Sequence, residues 1–464
     1  MSRLRFLPVT LAALALAQNA AAQPAPATPP PAAPGEVTVT PPPGPGEAPP
    51  PIPIAEPSGA ASASAAPTTD ASTTKPELGS AEASGPQDAT GGHGAAPTAI
   101  AGYFPGEGFA LKSTDGQFKL RIGLQAAYRF EPYWLDGEPQ NRRTFFVLRP
   151  FMEGHVFRDW IRFWTSFEFA ANPPYLLDSF IELQPIAEFG ARIGQQWSPY
   201  SRHEYFGPQQ ILFPEWAIVA DYFWPGRDKG ITLMGTIDKD APLEYWAGAY
   251  SGTPLRQFTA IDGNYVLVGR VTWSPLGPAA GNEALYITSD DPVPFRASFT
   301  LQGYVGNLET ATENFNPTSF RFDVEGTGER TKQNAGGADI WLQGERFTFL
   351  VEANIRHDDP DGPANARREF GVWGQLGYML IDRRLDVSVR GNYLDPSNKA
   401  ENDKFYSIEG QLGYYPFGTQ NLVLKLRYGY GHQDQPSEED LAAVRLPVPA
   451  GDNQILTAQL GLAF

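Results

Sequence analysis

The stretch LVLKLRYGY, Leu422–Tyr430, decides the fold. In an extended chain Leu422, Leu424, Leu426, Tyr428 and Tyr430 share one face, and Val423, Lys425, Arg427 and Gly429 share the other. The same period of two runs through FKLRIGLQA from Phe118, IRFWTSFEF from Ile161, FTFLVEANIR from Phe347 and LDVSVRGNY from Leu385. No helical period of comparable length competes with it. The chain closes on ILTAQLGLAF, Ile455–Phe464, in which Leu456, Ala458, Leu460, Leu462 and Phe464 alternate with Thr457, Gln459, Gly461 and Ala463 up to the last residue.

Read this way, the chain holds about sixteen strands, most near the roughly 9 to 11 residues of a tilted membrane strand. Their cores are 118–128, 144–156, 160–169, 176–184, 188–195, 229–237, 243–250, 264–273, 296–305, 338–344, 347–356, 370–379, 385–394, 405–415, 421–431 and 454–464. Short links such as QPIAE, DKDAP, GER and IDRR take turns with long ones at 129–143, 196–228, 306–337 and 432–453; the long link 274–295 breaks the alternation. Alternating link lengths suit an up-and-down barrel with one confined rim, and an even strand count puts both termini on that rim. A soluble sandwich also alternates apolar and polar faces. Tyr133, Trp134, Trp224 and Tyr393 near strand ends, read as interfacial girdles, favour the barrel. The predicted fold is an all-β, transmembrane, antiparallel barrel preceded by a disordered Pro/Ala-rich segment.

That preceding segment has two parts. Residues 1–22 carry Arg3 and Arg5, an apolar core from Leu11 to Ala17, and small residues at Ala20 and Ala22. They read as a secretory signal cut before Gln23. Residues 23–100, as in PPPGPGEAPPPIPI, contain no aromatic residue. Such a segment cannot bury enough apolar surface to offset its conformational entropy, so it is expected to be a disordered periplasmic linker. Contact with the cell wall is the functional alternative. The barrel domain is then 101–464.

With a net charge of -17 among 464 residues, the chain is a poor partner for nucleic acid or an acidic membrane surface. It has no cysteine, which excludes disulfides and thiolate metal sites. Gly, Pro or charged residues interrupt every later apolar run before it could cross a bilayer as a helix, so any membrane role must use strands.

Several stretches resemble the phosphate-selective porins O and P. They are GFALKSTDGQFKLRIGLQ (108–125), RRTFFVLRPFMEGHVFRDW (142–160), GARIGQQWSPYS (190–201), GRDKGITLMG (226–235) with LEYWAGAYSG (243–252), and GRVTWSPLG (269–277). The resemblance runs in order from Gly108 to Phe464. It implies a 16-stranded, trimeric outer-membrane channel with the third external loop folded into the pore. It also implies that Phe464 is read by the outer-membrane insertion machinery.

A pore needs no catalyst, only a water-filled lumen and a charged constriction. The inward strand faces offer Lys119, Arg121, Arg162, Arg192, Arg270, Arg296, Arg356, Arg390, Lys425 and Arg427 against Glu168, Asp178, Glu182, Glu244, Asp339, Glu352, Asp386 and Glu409. In and beside the third long link, Arg202, His203, Arg227 and Lys229 are the expected constriction groups, with Arg162, Arg192 and Arg270 on the wall. Glu204, Glu215, Asp221 and Asp228 offset their field. The expected function is passive diffusion of small ions and hydrophilic solutes, with a mild charge preference at most and no cofactor. The alternative is a non-conducting structural or adhesive barrel held to the wall by its Pro-rich segment. His93, His155, His203, His357 and His432 form no H-E-x-x-H pair, and no G-x-S-x-G elbow is present, so an enzyme is not expected. HDDPDGPAN (357–365), with Asp359 and Asp361, is a polar external loop before it is a calcium site.

Overall fold

In the computed structural model the described chain runs from 99 to 464, without 105–107, 136, 172, 239, 254–262, 279–281, 284–293, 317–320, 362–365, 438–445 and 447–449, and with backbone alone between 309 and 329. The signal segment and residues 23–98 of the linker, His93 included, lie outside the described residues. Ala99 and Ile100 already belong to the first strand.

The period-two segments become β1 (Ala99–Phe104), β2 (Gly108–Ser113), β3 (Phe118–Leu135), β4 (Glu138–Val156), β5 (Arg158–Glu168), β6 (Tyr175–Ile186), β7 (Phe189–Trp197), β8 (Arg227–Ile237) and β9 (Leu243–Tyr250). They continue as β10 (Tyr265–Trp273), β11 (Arg296–Asn316), β12 (Arg321–Gln343), β13 (Phe347–Pro360), β14 (Arg367–Ile381), β15 (Leu385–Asp395), β16 (Phe405–Tyr414), β17 (Leu422–Gln433) and β18 (Gly451–Ala463). Strands β3 to β18 form a closed 16-strand antiparallel barrel. Each of the sixteen expected cores is one of its strands.

The seam lies between the last strand and the first of the barrel. β18 pairs with β3 from Asn453↔Leu135 to Ala463↔Gln125. Beyond the strand, Phe464 and Leu124 exchange both backbone hydrogen bonds at 3.1 Å. Among the described residues, closure pairs both edges of every strand from β3 to β18, as a bilayer requires of a spanning sheet. Gly123 permits this approach: a Cβ there would stand 2.3 Å from the Phe464 carbonyl oxygen and from the Phe151 ring. Below the seam, β2 takes over the same edge of β3 at Leu111↔Leu120, with β1 folded back on it. The sequence reading missed this hairpin because its two strands are short and rich in Gly and Ala.

Burial follows the alternation. In β10, Tyr265, Leu267, Val271 and Trp273 are exposed on the outer face, while Val266, Val268, Arg270 and Thr272 are buried inside. In β17, Leu424, Leu426 and Tyr428 face out and Val423, Lys425 and Arg427 face in. Exposed aromatics collect at two levels: Phe118, Phe157, Trp273, Tyr414 and Phe464 toward the short turns, and Tyr128, Phe145, Tyr265, Phe370 and Tyr406 toward the long connections. These are the girdles of a membrane barrel. Two residues expected there lie elsewhere. Tyr133 faces inward and donates to Gln140, and the Trp224 indole donates to the Ser198 carbonyl.

Two expected loops are strand. The link 129–143 is the tight end of the β3–β4 hairpin, and 306–337 is mostly the long β11–β12 hairpin. In the first, charged residues kept their alternation: Arg129 and Glu131 face inward, and Arg142 closes an ion pair on Glu131. Inward charge reads as loop in a sequence, but a wall that pairs it continues as sheet.

The segment 198–226 between β7 and β8 does not stand above the barrel. It turns inside and carries two short helices, α1 (Arg202–Tyr205) and α2 (Ile218–Phe223). Its Tyr200, Phe206, Ile211, Val219 and Phe223 are buried against Tyr250, Val266, Tyr304, Trp341, Trp373 and Phe405 of the wall. The main apolar core therefore lies inside the barrel.

An outward leucine should be sensitive to charge in proportion to its depth. Leu426→Arg is expected to lower folding stability in lipid vesicles by about 2–4 kcal/mol, read from urea titration. Gly123→Ala should lower stability by a separate route, by forcing β18 off the seam.

Candidate functional site

A backbone segment packed against the inner wall of a barrel has its carbonyls shielded from water, and each needs a donor. The wall supplies them. Lys425 donates to the carbonyls of Ile211 (2.8 Å) and Phe213 (3.0 Å). Gln411 donates to Leu212 (2.6 Å), Arg129 to Pro214, Arg390 to Glu215 (2.9 Å) and Arg356 to Tyr222 (2.9 Å). These donors come from β17, β16, β3, β15 and β13, so the segment is held across much of the barrel's circumference.

At the segment's tip the Glu215 carboxylate meets Arg129 at 3.1 Å and pairs with Arg427. Burial would raise this carboxyl, but Arg427 and Arg129 outweigh it and hold it well below the usual range. Around it, Arg390 and Arg427 reach Glu409 at 2.9 and 3.1 Å, Arg142 pairs with Glu131, and Arg149 bonds Glu168 at 2.6 Å. A cavity of about 110 Å³ opens between this tip and the wall, with Glu215, Asp221, Arg390, Glu409 and Arg427 among its lining groups and Trp216 beside them.

The residues singled out from sequence are divided by the fold. Arg202 turns into the wall: Nε donates to Asp339 (2.9 Å), Nη2 to Ser298 (2.8 Å) and Thr300 (2.6 Å), and the guanidinium lies 5.0 Å from the Trp341 ring centroid. His203 is fully buried; its Nδ1 accepts the Ala217 N–H at 3.0 Å, and its ring lies against Trp373. Neither faces open lumen, because the helix that carries them packs flat on the wall. Arg227 donates to Asp178 at 2.9 Å, and Lys229 lies 3.5 Å from Asp228. Asp228 also accepts from Ser251 and the Gly252 N–H, so it ties β8 to the end of β9. Arg192 is buried between Glu182 (2.7 Å) and the rings of Phe180 and Trp197. Arg162, on the same face, stays 59% exposed. Arg270 is buried beside the Trp246 ring.

Sequence reasoning listed Arg390, Lys425 and Arg427 as inward charges but gave them no part in the constriction. It also passed over Arg129, Glu131 and Arg142 by reading them as loop, though the alternation Arg129, Glu131, Tyr133 was there to find. Nothing in the sequence marked Glu283. This residue of the 274–295 link is fully buried, accepts the Leu212 N–H at 2.8 Å, and holds Oε1 3.1 Å from His203 Nε2. The long link that broke the short-turn rule thus reaches the infolded segment from the opposite rim. Among the described residues no group of three or more His, Asp or Glu is arranged to hold a metal ion. Residues 362–365 of the acidic stretch lie outside the described residues.

No protein-family model matches this chain, and none of the curated proteins does. Among solved structures the chain is similar to an anion-selective porin from Comamonas acidovorans, at 10% identity and a TM-score of 0.50 over 74% of this chain and 99% of that one. It is also similar to outer-membrane expressed OmpT of Vibrio cholerae (10% identity, TM-score 0.49, 75% and 98% covered). A third is OprB of Pseudomonas putida at high pH (10% identity, TM-score 0.46, 74% and 94% covered). The likeness is one of fold: this chain is a porin-type barrel.

Docking of the infolded segment should respond to both a lost donor and pH. Lys425→Met leaves the Ile211 and Phe213 carbonyls without their donor, and is expected to weaken docking by about 1–3 kcal/mol, seen as faster protease cleavage within 207–217. Burial pushes the Glu283 carboxyl up to about 7 and, with Arg390 and Lys425, pushes the His203 imidazole well below its usual 6.5. The docked state therefore holds the Glu283 proton more tightly than the undocked state, so raising pH from about 4.5 to 7 weakens docking through Glu283. The His203 contribution has the opposite sign and acts below 6.5. Glu283→Gln should abolish the loss between pH 6.5 and 7 and leave the acid-side loss in place, with the same cleavage assay as readout.

Proposed function

We propose that the protein is an outer-membrane porin: a water-filled channel, narrowed by the segment 198–226, for passive diffusion of small ions and hydrophilic solutes. The observation that carries this reading is the segment itself, folded into the barrel and ending at Glu215 among the wall arginines. Such a tip narrows the path and lines it with fixed charge.

Selectivity follows from the pairing. Arg129, Arg142, Arg149, Arg390 and Arg427 face Glu131, Glu168, Glu215 and Glu409 at ion-pair distance. Matched charges produce little net field, so the channel carries both ion signs with a small preference for anions. Phosphate is one anion among several in this reading. The protein is exported through the periplasm, inserted with Phe464 as part of its assembly signal, and works as a homotrimer without catalysis or cofactor. One observation favours a second reading, a closed structural barrel: the density of wall donors fixing the segment.

Single-channel recording in a planar bilayer tests both. Discrete current steps are expected, with a reversal potential across a KCl gradient slightly on the anion side. Glu215→Gln should move that potential further toward anions, because Arg129 and Arg427 lose their counter-charge. A correctly folded, heat-modifiable barrel that gives no steps would support the closed reading instead.

A further inference from the structure

On the outer surface near the long-connection rim, four strands align a row of side chains. Val305 pairs with Asn334, Asn334 with His357, and His357 with Arg368, crossing β11 to β14 at one level. One step toward the short-turn rim, the corresponding row is Gly303, Gly336, Ile355 and Phe370. One step the other way, Lys332 stands beside Asp359. Lys332, Asn334, Ile355, Arg368 and Phe370 are exposed. His357 is half-buried and donates from Nδ1 to the Arg367 carbonyl at 3.0 Å, so Nε2 donates to an anion only when the ring carries its second proton.

Between these rows the wall is hollow. A cavity of about 250 Å³ has Val305, Asn334, Gly336, Ile355, His357 and Arg368 among its lining residues, with Tyr304, Ala335 and Arg356 between them along the strands. The floor is open because Gly336 has no side chain: a Cβ there would meet nothing closer than the Gln302 carbonyl oxygen at 4.0 Å. Among the described residues no carboxylate forms an ion pair with Arg368, while the neighbouring Arg367, on the opposite face, is taken up by Asp358 and Glu369. Asp359 is the one acidic group in the upper row and stands next to Lys332.

We propose that this hollow binds the phosphate of an acylated glycolipid in the outer leaflet. Arg368 and His357 meet the phosphate, Asn334 meets sugar hydroxyls, and an acyl chain lies in the trough over Gly336 and Gly303 beside Ile355 and Phe370. A guanidinium is suited to phosphate by charge and by its planar pair of donors. The level is right as well: Phe370, one pair below Arg368, belongs to the aromatic girdle, so the basic row falls among lipid headgroups. The apolar row beneath it falls among chains. Arginine and histidine directed outward at this height would be an odd choice against hydrocarbon alone, and a hollow over two adjacent glycines suits a chain better than a flat wall does.

The proposal rests on the outer-membrane placement above. That placement fails if the native barrel is missing from the outer-membrane fraction; the present proposal fails independently of it. The test uses the full, detergent-purified protein and native mass spectrometry with bis-phosphorylated lipid A, its dephosphorylated form, and inorganic phosphate as competitor. Retention of the phosphorylated glycolipid is expected, weakened about tenfold in the His357→Ala/Arg368→Ala double variant and in Gly336→Leu, with conductance and heat-modifiability unchanged. Equal retention of the dephosphorylated form, or unchanged retention in the double variant, would overturn the proposal. Displacement by millimolar inorganic phosphate alone would also overturn it, by assigning the hollow to the free anion.

Discussion

A chain segment buried in a barrel must have its carbonyls satisfied, and the rest of this structure depends on how that is done. Ile211, Leu212, Phe213, Pro214, Glu215 and Tyr222 each present a carbonyl to the wall, and Lys425, Gln411, Arg129, Arg390 and Arg356 each present a donor. A buried carbonyl without a donor costs on the order of 1–3 kcal/mol. The wall cations therefore act first as fixtures for the infolded segment, and in the proposed channel only secondarily as its field.

This double role explains why the inward charges nearly balance. A guanidinium taken from water needs a carboxylate or several acceptors, since an unpaired buried charge is far more costly than a neutral group. Arg129, Arg390 and Arg427 each reach both a segment atom and a wall carboxylate. Glu215 is the carboxylate that the segment itself brings to this set. The charge balance around the segment is thus set by what docking requires, and in the proposed channel a strongly one-signed filter would compete with the anchoring of the segment.

The fold was largely legible because a barrel wall separates two solvents residue by residue. Tyr265, Leu267, Val271 and Trp273 against Arg270 and Thr272 state that separation in the sequence, and burial repeats it. Where the sequence misleads, the causes differ. Arg129, Glu131 and Arg142 looked like loop because charge usually marks solvent, whereas here cross-strand pairing lets charge continue the ladder. The short β1–β2 hairpin carried too few residues for a period to show. Arg202 and His203 were legible as members of a special segment but not in their orientation.

The sequence by itself determined the sixteen strands of the barrel wall, their two faces, the strand that closes the seam, and which link is long enough to enter the lumen, because these depend on local periodicity and chain length. Only the tertiary structure decided which inward charges hold that link, that Arg202 and His203 turn into the wall, and that Glu283 reaches His203 from the other rim. Those contacts join residues far apart along the chain, such as Lys425 and Ile211, 214 positions apart. No local pattern encodes such a pairing; it arises when closure of the barrel brings the strands around one buried segment.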